Sequence, residues 1–463
     1  MNTKALRQKI LDLAIHGKLV PQDPNDEPAS VLLERIRDEK ERLIKEGKIK
    51  RPKKTKTTSD KPHYENVPFE VPSSWVWTTV GDIAESNIGL TYKPSDICDD
   101  GVPVYRSNNI QNRRIDKTEL VRVNAKILDK QYLAVGDLLI CARNGSRRLV
   151  GKCALIENLS EPSAFGAFMA VCRSAYNPWI YLLLNTGYFN RYLDDSNSTA
   201  INQVTQSMLL AFRVPFPPKK EQDRIIYEIS KWFDLIDTIE KSKEEMQVII
   251  STTKSKILDL AIHGKLVPQD PTDEPASELL KRINPKAEII SDNGHYQKLP
   301  EGWTILKVGN VAEYINGRAF KPEEWEQTGL PIIRIQNLND PNAYYNRTKN
   351  EYEGKYLIKK GDLLFAWAAS LGTYIWKGED AWLNQHIFKV IPYPFMYKKY
   401  LYYAFHAMIT EFYRKSHGSG MIHITRKQFE EITLWLPPLT EQYRIVQYLQ
   451  QVFEKLDSIV ENL

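Results

Sequence analysis

The sequence predicts an α+β protein in which two globular domains are separated by two long antiparallel, coiled-coil-like helices, with circular pseudo-twofold symmetry. Three observations predict this class. One segment occurs twice without a change, matched motifs follow both copies in the same order, and a long helical pattern lies between the matched parts. The chain has 463 residues, too many for one ordinary hydrophobic core, so more than one domain is expected.

The internal repeat is the strongest feature of the sequence. The segment KILDLAIHGKLVPQDP fills residues 9–24 and again residues 256–271. Further matched pairs are VPSSWVWTTVGDI with LPEGWTILKVGNV, GVPVYRSNNIQN with GLPIIRIQNLND, VGDLLICARNGS with KGDLLFAWAASL, and PPKKEQDRI with PPLTEQYRI. Because the pairs keep their order, the chain consists of two copies of one unit, each with a globular part followed by a helical part.

A helical pattern connects the two copies. Apolar residues recur every three or four positions from Ile225 to Leu260, which places them on one side of a helix. The positions are Ile225, Ile229, Trp232, Ile236, Ile239, Met246, Ile250, Ile257 and Leu260, with breaks at Lys243 and Thr253. Pro217 and Pro218 stop the helix from starting earlier, and Gly264 ends it. About 44 residues at 1.5 Å each make a helix on the order of 65 Å long.

The two chain ends complete a second copy of that helix. The C-terminal copy stops at Leu463 and the N-terminal copy starts at Met1, and only residues 244–247 have no counterpart. We therefore expect the central helix to pack antiparallel against the two terminal pieces, with the chain ends close together. Ordinary bundle helices within each half are the alternative. The predicted parts are an N-terminal helical segment with a basic linker (1–63), a first globular domain (64–215), a central helical region (216–295), a second globular domain (296–434) and a C-terminal helix (435–463).

Motifs for catalysis are absent from the sequence. It has no GxxxxGK[ST] loop for nucleotide hydrolysis, no GxGxxG that opens a helix, and no zinc-type spacing of His or Cys. His16 and His263 precede glycines at predicted helix ends, where capping is a better explanation than catalysis. The four cysteines are expected to be reduced core thiols. Absence across so many classes favours a binding protein, and we expect no metal or cofactor on this chain.

The composition agrees with that interpretation. The mean hydropathy is −0.44, and neither a membrane-spanning run nor a signal peptide is evident, so we expect a cytoplasmic protein without a membrane partner. The net charge of +5 permits a polyanionic partner without requiring one.

Polar loops at matched positions are the candidates for DNA binding. Arginine forks suit guanine and Asn or Gln amides suit adenine in the major groove, so a turn rich in these residues after a predicted strand is suggestive. The first copy of this turn has Arg106, Asn108, Asn109, Gln111, Arg113 and Arg114, and the second has Arg334, Gln336 and Asn337. A polar surface turn with capping amides is the alternative.

Other candidate residues lie in three further loops. GLTYKP and GRAFKP contribute Tyr92 and Lys93, and Arg318 and Lys321. The loop after the first GDLL motif contributes Arg143, Asn144, Arg147 and Arg148. Arg426 precedes the C-terminal helix, where phosphate contact is expected. The lysine-rich insertion around residues 44–62 is a solvated hinge or, as the alternative, a phosphate-contacting arm.

Together the PPxxEQxRI pairs, the long helices, the AIHGKLVPQDP segments and the GDLL strands resemble the specificity subunits of type I restriction–modification systems. The resemblance covers essentially the whole chain. It implies two target-recognition domains that read a bipartite, asymmetric double-stranded DNA target, and helices that dock two modification subunits and set the spacer. It also implies a non-catalytic chain that recruits restriction subunits, with S-adenosylmethionine, ATP and Mg²⁺ belonging to those partners. A coiled-coil scaffold without DNA contact is the alternative, and an enzyme with an unrecognised site is a third hypothesis.

Overall fold

The computed structural model describes residues 2–47, 67–196, 202–285, 288–290, 299–340, 342–416 and 422–463. The chain forms two compact units, Met1–Lys241 and Ser242–Leu463, and the boundary falls inside one long helix. The described part contains no helix that is long and apolar enough to cross a membrane.

The first unit combines helices with short strands. Its helices are α1 (Thr3–Ile15), α2 (Ala29–Lys45), α3 (Val80–Ile83), α4 (Asn177–Leu184), α5 (Gly187–Ser196), α6 (Gln206–Ala211) and the start of α7 (Lys219–Ile262). Its strands are β1 (Val76–Thr79), β2 (Glu85–Ile88), β3 (Ile97–Tyr105), β4 (Ile110–Gln111), β5 (Arg114–Ile115), β6 (Val121–Val123), β7 (Leu138–Cys141), β8 (Cys153–Leu155), β9 (Ala164–Phe165), β10 (Met169–Arg173) and β11 (Arg213–Phe216).

Two sheets organise the first globular domain. An antiparallel sheet has the order β2-β10-β7-β8, and a second sheet, β6-β3-β9, contains a parallel pair between β3 and β9. Strand β7 is buried along its whole length, as its unbroken apolar run LLIC requires. Strands β1 and β11 pair where the chain enters and leaves the domain.

The second unit repeats this plan. Its helices are the end of α7, α8 (Ala276–Ile283), α9 (Ile335–Asn339), α10 (Lys398–Ala407), α11 (Ile409–Lys415), α12 (Arg426–Glu430) and α13 (Leu439–Asn462). Its strands are β12 (Thr304–Lys307), β13 (Ala312–Asn316), β14 (Leu330–Ile333), β15 (Asn346–Thr348), β16 (Leu357–Ile358), β17 (Leu363–Ala366), β18 (Gly372–Ile375), β19 (Ala381–Leu383), β20 (Ile387–Pro392) and β21 (Thr433–Leu436). The sheets β13-β20-β17-β18 and β15-β14-β19-β16 match those of the first unit, and β14 with β19 is again parallel.

The predicted α+β class, with its long central helix, is confirmed. Helix α7 has 44 residues and lies between the two prolines and the glycine that predicted its ends. The apolar residues of α7 are not buried along its whole length. Trp232, Met246 and Leu260 are about 40% exposed, and between residues 241 and 249 every side chain except that of Lys243 is exposed. The terminal helices pack on the two ends of α7 and leave its middle uncovered.

Within each unit a terminal helix runs antiparallel to α7. In the first unit Arg7 of α1 donates to Asp237 at 2.5 Å, and its guanidinium lies 5.0 Å from the centre of the Phe233 ring. In the second unit Lys254 forms an ion pair with Asp457 of α13 and lies over the Phe453 ring. These residues occupy matched positions in the repeat, so the same contact forms twice.

The repeated segment also forms hydrogen bonds to the first turns of a long helix in each unit, α7 in the first unit and α13 in the second. In the first unit Gln22 donates to Glu221 at 2.6 Å, and Arg224 donates to Asp26 at 2.6 Å. The second unit repeats both contacts with Gln269, Glu441, Arg444 and Asp273, and Trp303 also donates to Glu441. We call each set of four residues a clamp. The QDPxDEP segments and the paired EQxR motifs are therefore complementary halves of one contact.

Asp273→Asn is expected to lower the free energy of unfolding of the second unit by about 1.5–3 kcal/mol, because it weakens a charged hydrogen bond to Arg444. The hydrogen bond from Arg444 holds the pKa of Asp273 below its usual value. This contribution is therefore present above the usual Asp pKa and is lost as the pH falls through the lowered value. Urea unfolding measures it. Asp270→Asn, at an exposed carboxylate bonded to Thr272, is the control, and an equal loss from both would contradict the clamp.

Candidate nucleic-acid interface

In the first unit, five loops are joined by hydrogen bonds into one surface. We call it loop surface 1, and it comprises residues 89–93, 106–108, 142–148, 166–168 and 202–204. Leu90 N donates to Phe165 O at 2.7 Å, and Gly166 N donates to Tyr105 O at 3.0 Å. Backbone bonds thus connect loops that are far apart in the sequence.

The remaining loops join through Ala142 and its neighbours. Ala142 N donates to Phe168 O at 2.9 Å, and Val204 N donates to Ala142 O at 2.7 Å. Asn144 Nδ2 donates to the Ser107 hydroxyl at 3.2 Å. The predicted loops around Arg106 and Arg143 therefore lie side by side.

A glycine lets the GLTYKP loop approach the others. A Cβ atom at Gly89 would lie 2.2 Å from Phe165 O, which is too close for any other residue. At Gly317, in GRAFKP of the second unit, it would lie 2.0 Å from Asn384 O. Both motifs are thus explained by close backbone approach, and both glycines stand next to the candidate residues.

The side chains of loop surface 1 include an exposed aromatic ring. Phe168 is 63% exposed, and the Arg143 guanidinium lies 5.8 Å from its ring centre. Arg148, Asn108 and Lys93 are also exposed, whereas Tyr92 packs against the core and Arg147 is paired with Asp194. The sequence prediction did not include Phe168. The signal was its position just after a buried strand, matched in the second copy.

Two predicted amides lie inside their turns. Asn109 is 1% exposed, and its side chain accepts from Arg106 N and donates to Asp116 O and Glu119 O. Asn337, at the matched position, is 3% exposed and braces its turn in the same way, through Arg334 N. These hydrogen bonds hold both amides inside their turns, where the side chains shape the loops. Gln111 is exposed but bonded to Asn108 O.

The six polar residues of the first copy do not lie in a single turn. Strands β4 and β5 form a hairpin whose turn residues, Asn112 and Arg113, have φ values of 48° and 64°. Tyr181 donates to Arg113 O, and Arg114 lies 3.6 Å from Asp237 of α7. The hairpin therefore packs towards the helices, where Arg113 and Arg114 line a cleft of about 400 Å³. DNA contact by these two arginines stays an untested prediction.

The second unit forms the matching surface. Loop surface 2 comprises residues 316–321, 334–336, 367–371, 384–386 and 422–426. Arg318 N donates to Leu383 O at 2.9 Å, and Asn384 N donates to Ile333 O at 3.1 Å. Trp367 N donates to His386 O, and Ile424 N donates to Trp367 O, both at 3.0 Å. The connections repeat those of loop surface 1 element by element.

The chemistry of loop surface 2 differs from that of its counterpart. The Trp367 ring lies 4.7 Å from the His386 ring, and the indole N–H donates to Asn316. Arg334 lies 5.9 Å from the Trp325 ring, and Gln336 is exposed. Sequence reasoning missed Trp367, His386 and His423, because nothing in the primary sequence shows that their loops meet.

Several predicted cations are held by carboxylates. Arg318 donates to Glu324 and lies 4.3 Å from the Tyr352 ring, and this hydrogen bond lowers the pKa of Glu324 to about 2. Arg426 is paired with Glu430 within α12, whereas Lys321 is exposed. The ion pairs fix where the guanidinium groups lie before any ligand arrives.

Other predictions concern helix ends, thiols and metals. His16 and His263 contact the carbonyls of Asp12 and Asp259, which confirms capping. Burial raises the pKa of the Cys153 and Cys172 thiols to about 12. Within the described residues no cluster of His, Cys, Asp or Glu could hold a metal ion. The lysine-rich insertion from residue 48 onward lies outside the described residues, so the arm hypothesis stays open.

Comparison with known proteins identifies the family. A family model described as "Type I restriction modification DNA specificity domain" matches residues 72–248 and 300–463. The chain is 29% identical to the type I restriction enzyme EcoAI specificity subunit of Escherichia coli, covering 98% of this chain and 90% of the relative. It is 27% identical to the EcoEI specificity subunit of the same organism, covering 99% and 90%.

A solved structure shares the fold. It comes from work on the assembly and conformational transition of the type I restriction–modification system, has 18% identity and a TM-score of 0.58, and the match covers 85% of this chain and 94% of that one. The two family matches each contain one loop surface and cover well over half of the chain. The protein therefore belongs to the type I restriction–modification specificity subunits, which recognise DNA sequence and leave catalysis to other subunits.

Proposed function

We propose that the two globular domains, residues 64–215 and 296–434, each contact one half of a bipartite DNA target through their loop surfaces. The observation that carries this proposal is that one hydrogen-bonded scaffold presents two different sets of side chains. Arg143 and Phe168 stand in the first set, and Trp367 and His386 stand in the second. A shared backbone framework with unlike side chains suits two different base sequences. A coiled-coil protein that only joins other proteins, without contacting DNA, would need no such difference.

We further propose that the helical regions dock two modification subunits, which use S-adenosylmethionine, and that restriction subunits join them. ATP and Mg²⁺ also belong to these partner subunits. Exposed apolar side chains on the middle of α7 support a protein partner there, since Met246, Val248 and Ile249 are between 38% and 65% exposed. We also propose that the complex acts in the cytoplasm.

Arg334→Ala tests whether each loop surface recognises its own half-site. In the assembled complex we expect binding to the second half-site to weaken about tenfold and target choice there to relax, because a single base-contacting residue contributes roughly 1–3 kcal/mol. Selection from a random duplex library measures both half-sites at once.

The matched variant Arg106→Ala is expected to relax the other half-site instead. Lys281→Ala, at an exposed position on α8, is the control and leaves both half-sites unchanged. A uniform loss of affinity for all sequences would make these arginines phosphate contacts. Unchanged selection with both variants would contradict the proposed surfaces.

A further inference from the structure

His386 holds a backbone conformation that its residue type rarely adopts. It follows β19 in loop surface 2 with φ of 75°, in the left-handed region. A non-glycine residue there costs about 1–2 kcal/mol, and such positions persist where the surrounding structure enforces them. The imidazole Nδ1 is buried and has no hydrogen-bond partner among the described residues. Strain and an unsatisfied ring nitrogen thus coincide at one histidine on the proposed DNA surface.

The neighbours of His386 hold its ring at the surface. Trp367 N donates to His386 O, and the two rings are nearly perpendicular, with 69° between their planes. A second histidine, His423, lies on the adjacent loop and forms a β-bridge with Ala368. Two imidazoles therefore flank the Trp367 loop.

The groups around His386 favour its neutral form in the free protein. Burial lowers its pKa first, and the nearby His423 lowers it further. On the 316–321 segment, Asn316 is neutral, Arg318 is paired with Glu324, and Lys321 is exposed; on the 422–426 segment, Arg426 is paired with Glu430. Among the described residues, none of these groups is a carboxylate that would favour the charged form of the ring, whereas an acceptor on the base edge of a specifically bound half-site would favour it.

The first unit has no titratable group at either position. Phe168 O accepts from Ala142 N as His386 O accepts from Trp367 N, so Phe168 corresponds to His386. Arg143 forms a β-bridge with Gln203 as Ala368 does with His423, so Gln203 corresponds to His423. The two domains therefore differ in how they can respond to pH.

We propose that His386 is a specificity-determining residue that takes up a proton when the second half-site binds, so that recognition by this domain alone is pH dependent. This inference rests on the proposed function of loop surface 2. DNA raises the imidazole pKa, so the added affinity is present below the pKa in the complex and is lost as the pH rises through it. Recognition by loop surface 1, with Phe168 and Gln203, lacks this response.

The test measures binding of the assembled complex to its target duplex and to an unrelated duplex between about pH 6 and pH 8 at constant ionic strength. We expect the ratio of the two affinities to rise roughly three- to tenfold towards low pH, since one proton contributes at most tenfold per pH unit. His386→Asn with His423→Gln should abolish that rise, and Asn tolerates the positive φ. His406→Gln, at a histidine on α10, is the control and should keep it.

Each outcome has a separate meaning. A wild-type complex that shows no sequence-specific binding to DNA would contradict the proposed function. Specific binding whose pH dependence is the same in the wild type and in the double variant would overturn the histidine inference and leave the proposed function intact. The single variant His386→Gly, whose residue type accepts the positive φ without strain, should also abolish the rise. It therefore decides the matter if the double variant does not fold.

Discussion

Inserting seven residues after Met246 is expected to lengthen the spacer between the two half-sites by about three base pairs and to abolish modification of the original target. Seven residues add about 10.5 Å to a helix, which is close to three base-pair steps of 3.4 Å along DNA. Because seven residues make about two turns, the two parts of α7 keep nearly the same rotation about the helix axis. Helix α7 runs through both units, and its side chains around Met246 are exposed, so the insertion disturbs no core. Methylation mapping of cells that express the complex measures the new spacer.

The same seven residues inserted after Gly354 form the control. That turn lies between β15 and β16, and no atom lies within 4 Å of where its Cβ would be. The spacer should stay unchanged there. An unchanged spacer after the α7 insertion would show that this helix does not set the spacing.

Replacing Arg143 and Phe168 together by alanine is expected to weaken binding to the target by at least tenfold and up to several hundredfold. The double variant removes both a cation and an exposed ring from the centre of loop surface 1, and each base contact contributes roughly 1–3 kcal/mol. Competition binding with duplexes altered in one half-site at a time measures the effect.

The loss should concern the first half-site alone. Arg35→Ala with Val31→Ala is the matched control, since both residues are exposed on α2 in the same unit. That pair should leave affinity and selectivity unchanged. Equal loss from the control pair, or loss of selectivity at both half-sites, would contradict the assignment of loop surface 1.

Features set by local patterns could be predicted from the sequence. The prolines and glycine that flank α7 predicted its length, because each excludes helix through its own backbone. The antiparallel packing of α1 on α7, and of α13 on α7, followed from the matched positions of the repeat. The capping of helix ends by His16 and His263 also followed from short-range geometry.

Features that depend on distant segments could not be predicted. The pairing of Asp26 with Arg224 joins two motifs almost two hundred residues apart, so neither motif alone indicates it. The sequence shows Asn109 as one polar residue in a polar turn, and only burial reveals that its amide braces the loop. Phe168 and His386 resemble ordinary core residues until the loops around them are assembled.

Methylation mapping of the genome in cells that express this chain with its modification and restriction subunits tests the central claim most directly. Two recognition domains on one chain predict a single asymmetric target of two specific half-sites separated by a spacer of fixed length and no defined sequence. Modification confined to one continuous site, or no sequence-specific modification at all, would contradict the claim that the two loop surfaces each recognise half of one DNA target.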